Sequence, residues 1–243
     1  QIHFNETLRK VSPWFTDDLY KEIDEIYIQT TRYLNGIFET KITFNGLDIG
    51  LELMRIRGGA FINELASRLK FKFDCYNKDT AECRWIKGLK YYAYSVHDST
   101  IFQFFAIMGI DRKVIKPGVY PAYAAASFVE LWRNETDKQP YFRLLYRAND
   151  TSPIYPITME IDKCQGKEFC DLQVFRDFAE KVKLYKPVPE LCEVNPEEEG
   201  KETTEAKQPR TPPSVPEEKE DGGACLHMFT SALTMLLCIC SKI

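Results

Sequence analysis

A histidine and an aspartate, His97-Asp98, stand side by side where acid–base chemistry has physical support. The preceding residues, Leu89–Val96, form an aromatic and apolar run that predicts a strand, and Ser99–Gly109 predicts a helix closed by glycine. In open α/β sheets, ligands bind beyond the carboxyl ends of strands, and a helix amino terminus presents N–H groups and a positive dipole end to an anion. The sequence therefore predicts a phosphate site at His97, with Asp98 as a candidate proton donor.

The same dipeptide also has an interpretation that needs no substrate. An aspartate at the start of a helix often caps the first turn, here with help from Ser99 or Thr100. A histidine that follows a buried strand often lies in the core with its hydrogen bonds satisfied. The dipeptide by itself leaves both interpretations open.

Hydrophobic periodicity predicts an α/β fold around this dipeptide. Helices are predicted from Thr16 to Gly36, from Gly59 to Lys70 with a flexible start at Gly58-Gly59, and from about Asp171 to Leu184. The run Leu89–Val96 is aromatic on both faces, which predicts a strand buried on both sides of a parallel sheet. Two further strands, Ser127–Arg133 and Tyr141–Arg147, predict an antiparallel hairpin. Its Arg143 and Arg147 could reach an anion but are expected to lie in solvent.

The composition divides the chain into three parts. Residues 1–192 are expected to form the folded body. Residues 193–221 are acidic and proline-rich without an aromatic residue, which predicts a disordered linker. Residues 222–243 form an apolar tail, whose stretch Ala224–Cys240 is close to the minimum of about 17 residues that spans a bilayer. Three interpretations of the tail stay open. It could be a single-pass membrane anchor, a lipid-anchor signal with Gly222, Gly223 or Ala224 as the acceptor, or neither.

Charge and cysteine content narrow the class of protein. The chain has 36 acidic and 32 basic residues, so it lacks the basic excess of nucleic-acid-binding proteins, and no nucleic acid is expected as a partner. Eight cysteines are ordinary for an exported protein and many for a cytosolic one. Cys75 with Cys83, and Cys164 with Cys170, are spaced for disulfides that close short loops. Cys192 is left without a partner in the body of the chain.

Three glycosylation sequons lie in polar segments that resemble turns. They are Asn5-Glu6-Thr7, Asn134-Glu135-Thr136 and Asn149-Asp150-Thr151. Together with the cysteine pairs, they favour the secretory pathway, with an extracellular, lysosomal or membrane-anchored destination.

The segment Tyr94–Thr100 resembles the second signature of the histidine acid phosphatases, the branch of the histidine phosphatase superfamily that includes the lysosomal and prostatic enzymes. Other segments between about residues 5 and 192 resemble further parts of this family in the same order. They are Asn5–Leu8, Trp14–Asp18, Arg57–Gly59, Asn63-Glu64, Tyr120–Ala124, Glu130-Leu131, Tyr146–Asp150 and Cys164–Cys170. The resemblance implies a phosphoglycerate-mutase-like three-layer α/β/α sandwich, of which this chain is the carboxy-terminal part.

The resemblance also implies an acid phosphatase that hydrolyses phosphate monoesters through a phosphohistidine intermediate, without a metal or a cofactor. His97 would contact the phosphate, and Asp98 would protonate the leaving group. The family's nucleophile lies in an Arg-His-Gly motif, and no Arg-His pair occurs in this sequence. The alternative is an exported binding or antigenic protein, derived from an acid phosphatase but without turnover. A related inositol-phosphate enzyme and a homodimer also stay open.

Overall fold

The computed structural model describes residues 14–116, 118–192 and 235–242, in which helices and strands are mixed as the sequence predicts for an α/β fold. The helices are α1 (Asp17–Leu34), α2 (Ile49–Met54), α3 (Ala60–Asp74), α4 (Arg84–Lys87), α5 (Asp98–Met108), α6 (Asp111–Val114), α7 (Leu172–Lys181) and α8 (Val188–Cys192). The strands are β1 (Thr43–Phe44), β2 (Leu47–Asp48), β3 (Tyr91–Val96), β4 (Ala126–Arg133), β5 (Pro140–Arg147), β6 (Tyr155–Pro156), β7 (Cys170–Asp171) and β8 (Met235–Lys242). A π-helical turn (Arg55–Gly59) joins α2 to α3, and 3-10 turns lie at Thr158–Glu160 and Asp162–Cys164.

The helix boundaries follow local capping signals. Thr16 precedes α1 and accepts a hydrogen bond from the Leu19 N–H at 3.2 Å, while Gly36 ends the helix with a positive φ of 80°. Asp171 caps α7 in the same way by accepting from the Gln173 N–H at 2.7 Å. Gly109 closes α5 in the left-handed conformation. The three predicted helices and the helix after Asp98 are confirmed, with ends shifted by a few residues.

The main sheet has the strand order β3–β8–β4–β5–β6, and β7 pairs with β5. β4 and β5 form the predicted antiparallel hairpin, in which Trp132 lies opposite Tyr141. β8 is antiparallel to β3 and parallel to β4, so it lies between them. Eight residues of the predicted apolar tail are therefore a strand of this sheet, and residues 236–240 pair with both neighbouring strands.

The prediction that β3 is buried on both faces is wrong. Tyr92, Tyr94 and Val96 pack against the core, whereas Tyr91, Ala93 and Ser95 on the other face are exposed. β3 also pairs with β8 in the antiparallel direction and lies at one end of the strand order. On this exposed face, Tyr91 and Ala93 conceal the period of two that marks a strand with one buried face.

The core lies between the sheet and helices α3, α5 and α7. Its largest fully buried side chains include Ile62, Leu65, Leu69, Ile101, Phe102, Phe104, Phe105, Phe142, Tyr146 and Phe175. The Asn63 carboxamide connects two of the helices, since its Nδ2 donates to the Gly59 carbonyl at 2.9 Å and to the Ala179 carbonyl of α7 at 2.8 Å. A Cβ at Gly59 would lie 2.2 Å from the Val182 carbonyl oxygen. Gly58 and Gly59 are thus buried at a close helix contact, and the predicted flexible start is wrong.

Two disulfide bridges close short loops, at the pairs that the spacing predicts. Cys75 and Cys83 are joined with a Cα–Cα distance of 5.2 Å, and Cys164 and Cys170 with 5.3 Å. All four cysteines are buried, and the first pair forms a small apolar cluster with Ile86.

The chain divides into two compact units, which are residues 1–184 with 233–243, and residues 185–232. In the second unit, α8 is the described element. Asn5, the predicted linker at 193–221 and the first part of the tail, 222–234, lie outside the described residues. Within the described residues, no helix has the length and apolar character needed to cross a membrane.

Candidate active site

His97 lies between the end of β3 and the start of α5. Its backbone is extended, with φ −86° and ψ 163°, and it occupies the N-cap position of the helix. Its carbonyl accepts hydrogen bonds from the Thr100 N–H at 3.0 Å and the Ile101 N–H at 3.4 Å, which closes the first turn. Strand and helix are therefore joined by this single residue, and the positive end of the helix dipole lies beside it.

The positions of the His97 and Asp98 side chains do not match the interpretation in which one is a core residue and the other a helix cap. His97 is exposed and makes no side-chain capping hydrogen bond, so it is not a core histidine. Asp98 is the first helical residue rather than the N-cap, and its Oδ1 accepts from the Ser99 N–H at 2.6 Å. A carboxylate at this position interacts favourably with the helix dipole. The dipeptide thus presents an imidazole and a carboxyl group at one accessible helix end.

Tyr27 adds a phenol group to the surroundings of Asp98, and Tyr120 lies beside Tyr27. The pKa of Tyr27, on α1, is raised mainly by burial, then by the neighbouring Tyr120, with a further contribution from the Asp98 carboxylate. Tyr120 is placed by an edge-to-face contact with Phe102 of α5, with ring centroids 5.2 Å apart. Sequence alone does not reveal this arrangement, because Tyr27 fits the packing face of a helix and no local signal links it to residue 98. Phenol groups can donate hydrogen bonds to an anion.

The position of α5 is fixed by apolar packing over most of its length. Ile101, Phe102, Phe104 and Phe105 are almost fully buried. The π-helical turn lies against the same helix at Gly58, where a Cβ would lie 2.7 Å from Gln103 Cγ. Because these contacts exclude other positions of the helix, the residues at its amino terminus are held by the core.

The basic residues of the hairpin are engaged in protein contacts, so their predicted exposure to solvent is wrong. Arg143 forms ion pairs with Glu130, at 3.6 Å, and with Glu168. Arg147 donates from Nη2 to the Ala124 carbonyl at 3.1 Å. Of the arginines near the Gly-Gly pair, Arg57 is exposed. Among the described residues, no group of three or more histidine, cysteine, aspartate or glutamate side chains is placed to hold a metal ion.

Comparison with known proteins defines the class. Residues 1–147 match the family described as the histidine phosphatase superfamily (branch 2), so the chain belongs to this family, and its α/β architecture is consistent with the family's fold. The chain is 32% identical over 192 residues to "Putative acid phosphatase 10" of Caenorhabditis elegans, covering 79% of the chain and 46% of that protein. It is 32% identical over 193 residues to "Putative acid phosphatase 11" of the same organism, covering 79% and 47%.

A third relative is "Putative acid phosphatase F26C11.1" of Caenorhabditis elegans, which is 30% identical over 197 residues, or 79% of the chain and 44% of that protein. The chain therefore spans about half the length of the curated relatives it matches. No solved structure gave a significant match.

Proposed function

We propose that the complete protein hydrolyses phosphate monoesters at acid pH, as an acid phosphatase. The observation that carries this proposal is the placement of His97 and Asp98 at an accessible strand end and helix start, in a chain that belongs to the histidine phosphatase superfamily. The relatives' names and the anion-binding character of a helix amino terminus support the same function.

The proposed reaction has two steps. A histidine nitrogen from outside this sequence attacks phosphorus while the bond to the ester oxygen breaks, and Asp98 gives its proton to the departing alkoxide. A water molecule then attacks the phosphohistidine, loses its proton to the Asp98 carboxylate, and releases inorganic phosphate. His97 contacts the phosphate in both steps. Asp98 is thereby protonated again for the next cycle.

A second candidate function takes account of the fact that no Arg-His pair occurs in these 243 residues. In this alternative, the protein is exported as a binding or antigenic protein that binds but does not hydrolyse. The transcript sequence preceding Gln1 distinguishes the two. An upstream segment that encodes Arg-His-Gly supports the phosphatase. A stop codon followed only by a signal peptide, with no Arg-His-Gly segment before Gln1, supports the inactive protein.

The Asp98 role is tested in the complete protein with Asp98→Ala and two substrates, since an asparagine at position 98 would create a new sequon with Ser99 and Thr100. Turnover of an alkyl phosphate should fall by about 10²-fold, because a poor leaving group needs a proton in the transition state. Turnover of p-nitrophenyl phosphate should fall much less, because p-nitrophenolate leaves without one. Asp79→Ala, at a side chain that is 88% exposed, is the matched control and should change neither rate. Equal losses on both substrates would contradict the donor role.

We further propose that the protein enters the secretory pathway, which is supported by the two disulfides and by the exposed or half-exposed sequon asparagines Asn134 and Asn149. Its destination is extracellular, lysosomal or membrane-anchored through residues 222–243. Cell fractionation of the complete protein, with a glycosidase-induced change in mobility, tests this route.

A further inference from the structure

The sequon Asn134-Glu135-Thr136 lies in the turn that joins β4 to β5. The turn is closed by hydrogen bonds from the Asn134 N–H to the Gln139 carbonyl at 3.1 Å and from the Lys138 N–H to the Asn134 carbonyl at 2.9 Å. The side-chain oxygen of Asn134 accepts from the Thr136 N–H at 2.8 Å. Asn134 and Thr136 are both exposed. The amide nitrogen of Asn134 donates to Asp137 Oδ2 at 3.2 Å. Because a glycosylated amide keeps one N–H, a sugar can be attached while this bond stays in place.

An aromatic cleft of about 290 Å³ lies beside this asparagine. It is lined by Trp132, Arg133, Asn134, Tyr141 and Phe169. Trp132 lies directly opposite Tyr141 in the hairpin register. Because alternate residues of a strand point to the same face, Trp132 and Asn134 share a face of the hairpin. A group attached to Asn134 is thus placed next to the two rings.

The indole of Trp132 is held in a fixed orientation. Its Nε1–H donates to Glu130 Oε2 at 2.9 Å. The Phe169 ring meets it edge to face, with centroids 5.1 Å apart and an interplanar angle of 80°. Phe169 is also contacted by the Arg143 guanidinium, 5.6 Å from its centroid. The cleft therefore exists before any ligand arrives, which keeps the entropic cost of binding low.

We propose that the first N-acetylglucosamine of an N-linked glycan on Asn134 binds in this cleft, with its ring C–H groups and acetyl methyl against the Trp132 and Tyr141 rings. Sugar rings present an apolar face of C–H groups to which an aromatic face is complementary. The volume is slightly below the range of about 300–1,000 Å³ that holds drug-sized molecules, which suits one sugar ring. The covalent link removes most of the entropic cost of association. This inference rests on the proposed secretory route and is independent of catalysis.

The test uses the 243-residue chain secreted from eukaryotic cells and trimmed with an endoglycosidase that leaves one N-acetylglucosamine per site. Peptide mass spectrometry should find Asn134 occupied. The acetyl methyl proton resonance of its sugar should be shifted upfield by the ring current of Trp132. Removing the sequon with Thr136→Ala should lower the Tm by about 2–4 °C, the size expected for one ring contact in a chain of this length.

Two further variants keep the inference falsifiable. Thr151→Ala removes the glycan at Asn149, and the upfield resonance should remain. Trp132→Leu keeps the Asn134 sequon and should return that resonance to the position of free N-acetylglucosamine. If this variant does not fold, the test rests on the unsubstituted chain, whose methyl resonance is compared with that of free N-acetylglucosamine. Two outcomes would overturn the inference. One is a chain that is glycosylated at Asn149 but not at Asn134. The other is a glycosylated Asn134 whose methyl resonance is unshifted, together with an unchanged Tm in Thr136→Ala. Phosphatase activity is not a readout, so failure of the proposed function would leave this result intact.

Discussion

The Arg68 guanidinium donates from Nε to the Tyr94 hydroxyl at 2.8 Å, which ties α3 to β3. The Tyr94 hydroxyl in turn donates to Glu64 Oε1 at 3.0 Å, and Arg68 Nη2 donates to the same oxygen at 2.6 Å. Arg68 also lies over the Tyr92 ring, 3.8 Å from its centroid. This network fixes the packed face of β3 at Tyr94, three residues before His97.

This network should make stability depend on pH in the alkaline range. Burial, and then the hydrogen bond to Glu64, raise the pKa of Tyr94 to about 12, above its ordinary value of 10.0. Since the folded pKa is the higher one, the contribution of Tyr94 is complete below pH 10 and is lost as pH rises towards 12. In urea denaturation between pH 9 and pH 11.5, Tyr94→Phe should lose less stability with pH than the unsubstituted chain. Tyr123→Phe controls for removal of a phenol, and identical slopes for all three chains would contradict the prediction.

Lys72 should stabilise the segment that leads into β3. Its buried Nζ donates to the carbonyls of Ile86, Lys87 and Leu89 at 2.9, 2.8 and 2.9 Å, although burial and the nearby Lys90 lower its pKa. Lys72→Met leaves these carbonyls without their charged donor, so the free energy of unfolding should fall by about 2–3 kcal/mol. Thermal or urea denaturation measures this. Lys70→Met, which removes an exposed ion pair with Asp74, should change it by less than about 1 kcal/mol.

The parts of the fold that could be predicted are those with local signals. Thr16 and Gly36 mark the ends of α1, and the polar turn between β4 and β5 marks the hairpin. The exposed face of β3 could not be predicted, because Tyr91 and Ala93 on that face resemble the residues of a buried face. The position of Tyr27 near Asp98 depends on how α1 packs against the rest of the chain, and periodicity carries no such information.

The Gly-Gly pair shows the same limit of local reasoning. Glycine is both the most flexible residue and the smallest, and sequence alone does not tell which property is used. At Gly59 the small size of glycine is what matters, because the Val182 carbonyl occupies the space that a side chain would need. At the candidate site, the strand, the dipeptide and the helix start could be predicted, whereas the exposure of His97 and the nearby Tyr27 phenol group required the structure.

Gly59→Ala should therefore be strongly destabilising. The new methyl group would meet a backbone oxygen at 2.2 Å, so α3 and the segment after α7 must move apart, and the two hydrogen bonds of Asn63 weaken with them. We expect the free energy of unfolding to fall by about 2–4 kcal/mol. Gly88→Ala is the matched control, because nothing lies within 4 Å of its Cβ position, and it should change stability by less than about 0.5 kcal/mol. Similar midpoints for both variants in urea would contradict the close-contact account.

The last prediction concerns the strand β8, which separates β3 from β4. If residues 235–242 complete the sheet, deleting residues 233–243 leaves the facing backbone groups of β3 and β4 without partners. The amides of Tyr91–Val96 should then exchange with deuterium roughly tenfold faster or more, as local opening becomes easier. The amides of β5 that pair with β6 and β7 provide an internal control, because β5 does not pair with β8.

A substitution separates this role from the predicted membrane anchor. Leu237→Pro removes a backbone donor from the centre of β8, where residue 237 pairs with both Tyr94 and Ser127, and it should also increase exchange in β3. Proline is tolerated in membrane-spanning helices, so the substitution should leave membrane partitioning of the tail unchanged if the tail is an anchor. Unchanged exchange of Tyr91–Val96 in both variants would show that β8 does not hold β3 in solution. The same hydrophobic segment would then be better explained by the membrane anchor that the sequence predicts.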